Sequence, residues 1–349
     1  MDFPGAHILS IEQFQREDIE RVFRTADRME PYAQRTRLTR VLEGAILGNM
    51  FFEASTRTRI SFGAAFNLLG GEVRESVGMD SSSLVKGESL EDTARVLSGF
   101  SDVICMRHPD VGSVARFASA SRVPVINGGD GSNEHPSQAL LDLYTIEKEL
   151  QGRGRAVDGL RIAMVGDLKF GRTVHSLCKL LSLFTNIRVV LVSPVELVMP
   201  PALVEMMREA GHQVMVTDSL EASIGQVDIV YSTRIQEERF DDRTQADLYR
   251  GRFRLNQDIY TRHCDPNTVI MHPLPRDSRI EANELDADLD SNPNLAIFRQ
   301  TDNGLLVRMA LFALILDVAH LVDKYEQEIR WRNPRQKPVA SAGEACDSR

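Results

Sequence analysis

Along the chain, apolar residues switch repeatedly between a helical spacing and short continuous runs. The segment "SIEQFQREDIERVFRTADRME" (10–30) carries apolar residues three and four apart and predicts an amphipathic helix. Apolar runs at about 46–52, 73–77, 103–106 and 123–127 predict strands, with helical patterns between them. "HPSQALLDLYTIEKELQG" predicts a long helix that stops at Gly152. The following "QGRGRAVDG" is rich in Gly and Arg and poor in apolar residues, which marks a boundary. A second alternating set then begins. Strands are expected in "RIAMVGD", "IRVVLVSP", "HQVMVT", "DIVYST" and "VIMHPLP", with helices at about 173–183 and 201–210 and a short acidic turn near 220–224. Such alternation predicts an α/β fold of two open parallel-sheet domains with a cleft between them. The expected division is residues 1–150 and 151–304. The apolar helix after Gly304 is too long for the second unit alone, so residues from about 305 to 331 are expected to return to the first. Residues 332–349 are polar and contain proline, the pattern of a disordered tail.

Length and composition narrow the picture further. A chain of 349 residues exceeds the usual size of one core, and 42% apolar content supports folded domains. The net charge of −9 gives no support for nucleic-acid binding, although a local basic pocket can still hold an anion. Cys105, Cys178, Cys264 and Cys346 are scattered without metal-binding spacing, which fits reduced thiols and a cytoplasmic location. The first residues lack the basic and apolar regions of a signal peptide. Arg308, Asp317 and His320 interrupt the stretch from Gly304 to Val322, so a packed core helix is expected there and no membrane span.

The candidate chemistry lies where strands give way to helices. "NMFFEASTRTRISFGAAFNLLGG" joins an apolar strand to a helix through Ser55, Thr56, Arg57, Thr58 and Arg59. A helix amino terminus has unpaired N–H groups and a partial positive charge, so an anion is stabilised there. The hydroxyls add donors, and a guanidinium fork suits phosphate. An ordinary helix cap with two solvated arginines accounts for this segment alone equally well. Arg107 and His108 follow a strand, and His135 and Gln138 open a helix after a Gly-rich turn. Ring nitrogens and a primary amide can hold a small planar carbonyl-and-amine group. Arg172 opens a helix after "GDLKFG", in which the dinucleotide pattern G-x-G-x-x-G is missing. Arg234 and Gln236 follow another strand. Pro273-Leu274-Pro275 rigidify the last strand end, where backbone carbonyls can serve as fixed acceptors. Lys86 lies in a polar, serine-rich segment.

In order along the chain, "FFEASTRTR", "MRHP", "HPSQALLDLYTI", "GDLKFGRTVHSL", "TRIQEERF" and "HPLPR" together resemble the aspartate/ornithine carbamoyltransferase family, from about Phe51 to Arg308. "RTVHSL", R-x-Q and "HPLP" resemble its aspartate branch, whereas the ornithine branch would show H-C-L-P and a D-x-x-x-S-M-G type segment. The resemblance implies an active-site cleft between the domains and transfer of the carbamoyl group of carbamoyl phosphate to L-aspartate, an early step of pyrimidine synthesis. It implies neither a metal nor a cofactor. Ser55, Thr56, Arg57 and Thr58 match phosphate contacts. Arg107, His135 and Thr58 match donors to the carbamoyl oxygen, and Gln138 matches the contact to its amine. Arg172, Arg234 and Gln236 match binders of the two aspartate carboxylates. The carbonyls of Pro273 and Leu274 match acceptors for its amine.

Further implications concern assembly. Ser82 and Lys86 match a loop that enters the site of a neighbouring subunit, which implies a homotrimer with shared sites. Glu53 and Arg239 match a pair that joins the domains on closure. The family has forms with separate regulatory chains, forms that stand alone and forms joined to dihydroorotase-type partner chains. An inactive scaffold chain would be expected to lose Lys86, His135 or the S-T-R-T run, and all are present.

Overall fold

The computed structural model describes residues 1–78, 87–237, 240, 249, 251–279, 282–331 and 333. In chain order it contains α1 (Arg16–Ala33), β1 (Leu38–Thr39), β2 (Ile46–Phe51), α2 (Thr56–Leu68), β3 (Glu72–Val77), α3 (Leu90–Leu97), β4 (Val103–His108), α4 (Ser113–Ala120), β5 (Val125–Asp130) and α5 (Pro136–Gln151). There follow β6 (Arg161–Val165), α6 (Arg172–Leu181), β7 (Arg188–Val192), α7 (Pro201–Glu209), β8 (Gln213–Thr217), β9 (Ile229–Ser232), α8 (Gln257–His263), β10 (Val269–Met271), α9 (Ile297–Ile315) and β11 (Glu326–Gln327).

Two parallel sheets form, in the order β3-β2-β4-β5 and β10-β9-β6-β7-β8. This is the α/β architecture expected from the alternating pattern. The inner strands are buried on both faces, as β4 (Val103–His108) and β9 (Ile229–Ser232) show throughout. That explains why they read as continuous apolar runs rather than alternating ones. The two-residue strands β1 and β11 pair antiparallel and join the amino-terminal region to the chain after α9.

Two elements start elsewhere than expected. Ser10 opens a short 3-10 turn, Ile11–Gln13, closed by a capping box in which the Gln13 side chain accepts from the Ser10 N–H at 2.9 Å. Phe14 is then extended and buried, so α1 begins only at Arg16. The apolar helix begins at Ile297, ahead of Gly304, and packs against α1, α2 and α5. Its Phe312 meets Phe62 and Phe66 of α2 edge-on, with ring centroids 5.9 and 5.0 Å apart. Burying a side chain of this size stabilises by roughly 1.5–3 kcal/mol. These contacts fix the body of α2, and with it the direction in which its amino terminus points.

Candidate functional site

The carboxyl ends of β2, β4, β9 and β10 and the amino ends of α2, α5 and α6 border one cleft of about 450 Å³. Its lining includes Glu53, Ser55 to Thr58, Arg107, His135, Gln138, Arg172, Arg234, Gln236, Pro273 and Leu274. Every residue that the family resemblance matches to a substrate contact, within the described segments, therefore borders the same space. Ser82 and Lys86 lie outside the described residues, as does Arg239, the partner expected for Glu53.

At the β2–α2 joint, Ser55 takes the N-cap position in extended backbone, and its side chain makes no capping bond. The first N–H groups of α2 are thus presented together with the hydroxyls around them. The two guanidiniums of the joint separate. Arg57 lines the cleft, whereas Arg59 turns away to Glu75 of β3 at 2.9 Å. Burial, and then the nearby charge of Arg234, lower the pKa of Arg57. Two like charges from different sheets face one volume.

Arg107 and His108 also separate. The register of β4 against β5 shifts between Met106 and His108, a bulge that re-aims the side chain between them. Arg107 reaches the cleft, with Nη2 at 2.8 Å from Glu53 Oε2 and Nη1 donating to the Gly128 carbonyl at 3.3 Å. His108 instead accepts from the Asp110 N–H at 3.1 Å and packs on Phe52. Gly129 makes room for the arginines: its φ is +119°, and a Cβ there would lie 3.1 Å from Arg107 and 3.3 Å from Arg172.

His135 is the N-cap of α5 and is buried. Desolvation first, then the charges of Arg172, Arg107 and Arg308, hold its pKa well below the ordinary imidazole value. Its Nδ1 lies 3.4 Å from the Ser137 hydroxyl, and its buried Nε2 has no hydrogen-bond partner among the described residues. A neutral ring that accepts at Nδ1 carries its proton on Nε2, as a donor into the cleft.

The second sheet supplies the opposite wall. Arg172 opens α6, donates to the Gly131 carbonyl across the cleft, and lies 3.7 Å from Glu53. Buried Asp167 accepts from the N–H of Phe170 at 2.9 Å and of Gln236 at 3.1 Å. It ties the loop after β6 to the segment carrying Arg234 and Gln236. After β10, the Leu274 N–H donates to His272 Nδ1 at 2.8 Å, and Leu274 has φ +56°, a strained value for a residue with a side chain.

Sequence reasoning missed Ser61, Thr233, His272, Gln300 and Arg308, which also line the cleft. Arg308 is buried in α9, donates to the Ser61 hydroxyl at 2.8 Å and stacks on Phe62. A charge inside the apolar run that follows Gly304 was the available signal. Among the described residues, five guanidiniums and one carboxylate, Glu53, line the cleft, in a chain whose net charge is −9. Such a site favours ligands carrying several negative charges. Among the described residues no group of three or more His, Cys, Asp or Glu could hold a metal ion, and no helix is long and apolar enough to cross a membrane.

Comparison with known proteins agrees with this geometry. Residues 6–148 match the family described as aspartate/ornithine carbamoyltransferase, carbamoyl-P binding domain, and residues 158–315 match its Asp/Orn binding domain. The aspartate carbamoyltransferase catalytic subunit of Cellvibrio japonicus is 75% identical over 331 residues, covering 95% of this chain and 98% of that one. The corresponding subunit of Saccharophagus degradans is 74% identical, covering 96% and 99%. The crystal structure of aspartate transcarbamoylase from Trypanosoma cruzi with carbamoyl phosphate and aspartate superposes with a TM-score of 0.82 at 38% identity, covering 90% and 98%. The chain belongs to the aspartate/ornithine carbamoyltransferase family.

Proposed function

We infer that this cleft transfers the carbamoyl group of carbamoyl phosphate to L-aspartate, giving N-carbamoyl-L-aspartate and phosphate, a step of de novo pyrimidine synthesis. The observation that carries the reading is that five guanidiniums of the described residues line the cleft on which the amino terminus of α2 opens. A phosphate dianion and a dicarboxylate together bring the negative charge that such a cleft can neutralise. The relatives named for the same activity, at 75% and 74% identity, support it.

Ser55, Thr56, Arg57 and Thr58 hold the phosphate. Arg107, His135 and Thr58 donate to the carbamoyl oxygen, and Gln138 takes its amine. Arg172, Arg234 and Gln236 bind the aspartate carboxylates, while the carbonyls of Pro273 and Leu274 hold the amine as acceptors. The neutral amine attacks the carbamoyl carbon, and the C=O π pair moves onto oxygen. Preorganised donors stabilise this oxyanion, the interaction that strengthens most as charge develops. The C–O bond to phosphate then breaks, and the departing phosphate takes the amine proton. Holding both reactants in one geometry contributes up to ~7–11 kcal/mol.

The domain division proposed is 1–150 with about 305–331 for carbamoyl phosphate, and 151–304 for aspartate. The packing of α9 on α1, α2 and α5 supports the return of the chain to the first unit. The proposed assembly is a cytoplasmic homotrimer in which Ser82 and Lys86 of one chain complete the cleft of its neighbour. Edge strand β3, which precedes that segment and exposes Val77, fits a subunit contact. Carbamoyl-aspartate formation by the purified chain, with ornithine as control acceptor and mass measured in solution, tests these readings. Activity with aspartate from a trimer is expected. Turnover of ornithine, or a fully active monomer, would overturn the acceptor or the shared site respectively. A mass beyond the trimer in cell extract would reveal regulatory or dihydroorotase-type partner chains. The variant Arg234→Ala should raise the KM for aspartate at least tenfold, and an unchanged KM refutes its role.

A further inference from the structure

Asp142 interrupts the apolar run of α5 and is completely buried. Its Oδ1 accepts from Gln138 Nε2 at 2.8 Å and from Gln300 Nε2 at 2.6 Å, and its Oδ2 accepts from the Tyr231 hydroxyl at 2.6 Å. These donors come from α5 itself, from α9 and from β9 of the other sheet. Among the described residues no cation lies within ion-pair distance of it. A buried carboxyl of this kind is costly, and desolvation raises its pKa to about 7. Its two oxygens nevertheless have fixed roles. Oδ1 faces two amide NH2 groups and must accept from both, whether or not Oδ2 carries a proton.

This arrangement decides which way two amides point. The Gln138 NH2 is committed to Asp142, so its carbonyl oxygen is left for the cleft that Gln138 lines. An acceptor at that point suits the NH2 of a carbamoyl group. The reversed amide would set donor against donor. The Gln300 NH2 is committed likewise, and its oxygen accepts from the His272 N–H at 3.0 Å, at the start of the Pro273–Leu274 loop. We propose that Asp142 is a positioning residue that fixes the direction of the Gln138 amide, so that its oxygen selects the carbamoyl amine, and that holds the His272–Leu274 loop through Gln300. The proposal rests on the reading of Gln138 as the contact to that amine.

Binding of carbamoyl phosphate and of inorganic phosphate, measured side by side on the full-length chain, tests it. Phosphate lacks the group that Gln138 reads. In Asp142→Ala the dissociation constant for carbamoyl phosphate should rise roughly three- to tenfold, the worth of one neutral hydrogen bond. That for phosphate should change less than twofold. Asp142→Ser, whose hydroxyl is too short to reach the amide, reads the same ratio if the alanine variant does not fold. Asp142→Asn keeps an acceptor oxygen and should restore most of the preference. In a Gln138→Ala background, the Asp142 changes should no longer alter the ratio. Equal weakening of both ligands, or an unchanged ratio, would reduce Asp142 to a structural residue and overturn the proposal. A wild-type chain that neither prefers carbamoyl phosphate nor forms carbamoyl-aspartate would instead overturn the reading of the site beneath it.

Discussion

Arg308 sets fold stability against function, and replacing it with methionine separates the two. Its guanidinium is buried in α9, and among the described residues no carboxylate lies within ion-pair distance of it. Burial lowers its pKa from 12.5 to about 10. At ~1.36 kcal/mol per unit, this shift corresponds to about 3 kcal/mol by which folding disfavours the charged form. The folded-state value lies below the unfolded one, so the unfolded chain holds the proton more tightly. The full cost is therefore present at pH 7 and is relieved only as pH rises through about 10 toward 12.5. Methionine keeps most of the volume without the charge. It forfeits the bond to Ser61 and the stacking on Phe62, together worth about 1–2 kcal/mol. Arg308→Met should thus be more stable by about 1–2 kcal/mol, read as a higher urea midpoint at unchanged slope. The same variant should lose at least tenfold in kcat/KM for carbamoyl phosphate, because one of the cations of an anion site is gone. A methionine variant that is less stable than wild type and fully active would refute both halves of the reasoning.

Other outcomes follow from the same geometry. Arg57→Ala should lower kcat/KM by at least a hundredfold. Arg59→Ala should leave activity within about twofold and cost at most ~1 kcal/mol, since it removes only a partly exposed pair with Glu75. His135 stays neutral through the physiological range, so kcat should not fall through protonation of this ring between pH 8 and 6.5, and the ring-nitrogen NMR shifts should stay those of neutral imidazole. Because its folded value lies below the unfolded one, the stability it contributes is complete above about pH 6.5 and falls as the medium is acidified below that. Gly129→Ala should weaken carbamoyl phosphate binding and destabilise the fold. It forces a side chain into a left-handed conformation and against the Arg107 guanidinium, a change visible in thermal melts and in KM.

What the sequence made legible was local. The hydroxyls and guanidiniums of the β2–α2 joint announce an anion site because each group acts through its own helix terminus. The paired sheets follow from alternating runs whose spacing is short-range. Less legible were features that depend on a partner far along the chain. Arg107 and His108 are adjacent in sequence, and only the bulge in β4 sends the first to the cleft and the second to a turn. Asp142 sits within a helix whose periodicity predicts core, Gln300 lies ahead of the helix expected after Gly304, and their roles depend on each other across 158 positions. The start of α1 at Arg16 was hidden because Phe14 fits the apolar spacing yet leaves helical geometry to enter the core.

The cleft is best understood as a meeting of backbone ends. The amino termini of α2, α5 and α6 all open on it, at Thr56, Pro136 and Arg172. Each brings a partial positive charge, and no termini from one sheet alone could surround a ligand on two sides. Guanidiniums placed on that frame repel one another, as the effect of Arg234 on Arg57 shows. Glu53 offsets part of this repulsion, lying against both Arg107 and Arg172. A bound anion would add to this neutralisation of the cleft's positive charge. The same concentration of positive charge favours anionic reactants in the cleft and orients them between its two walls.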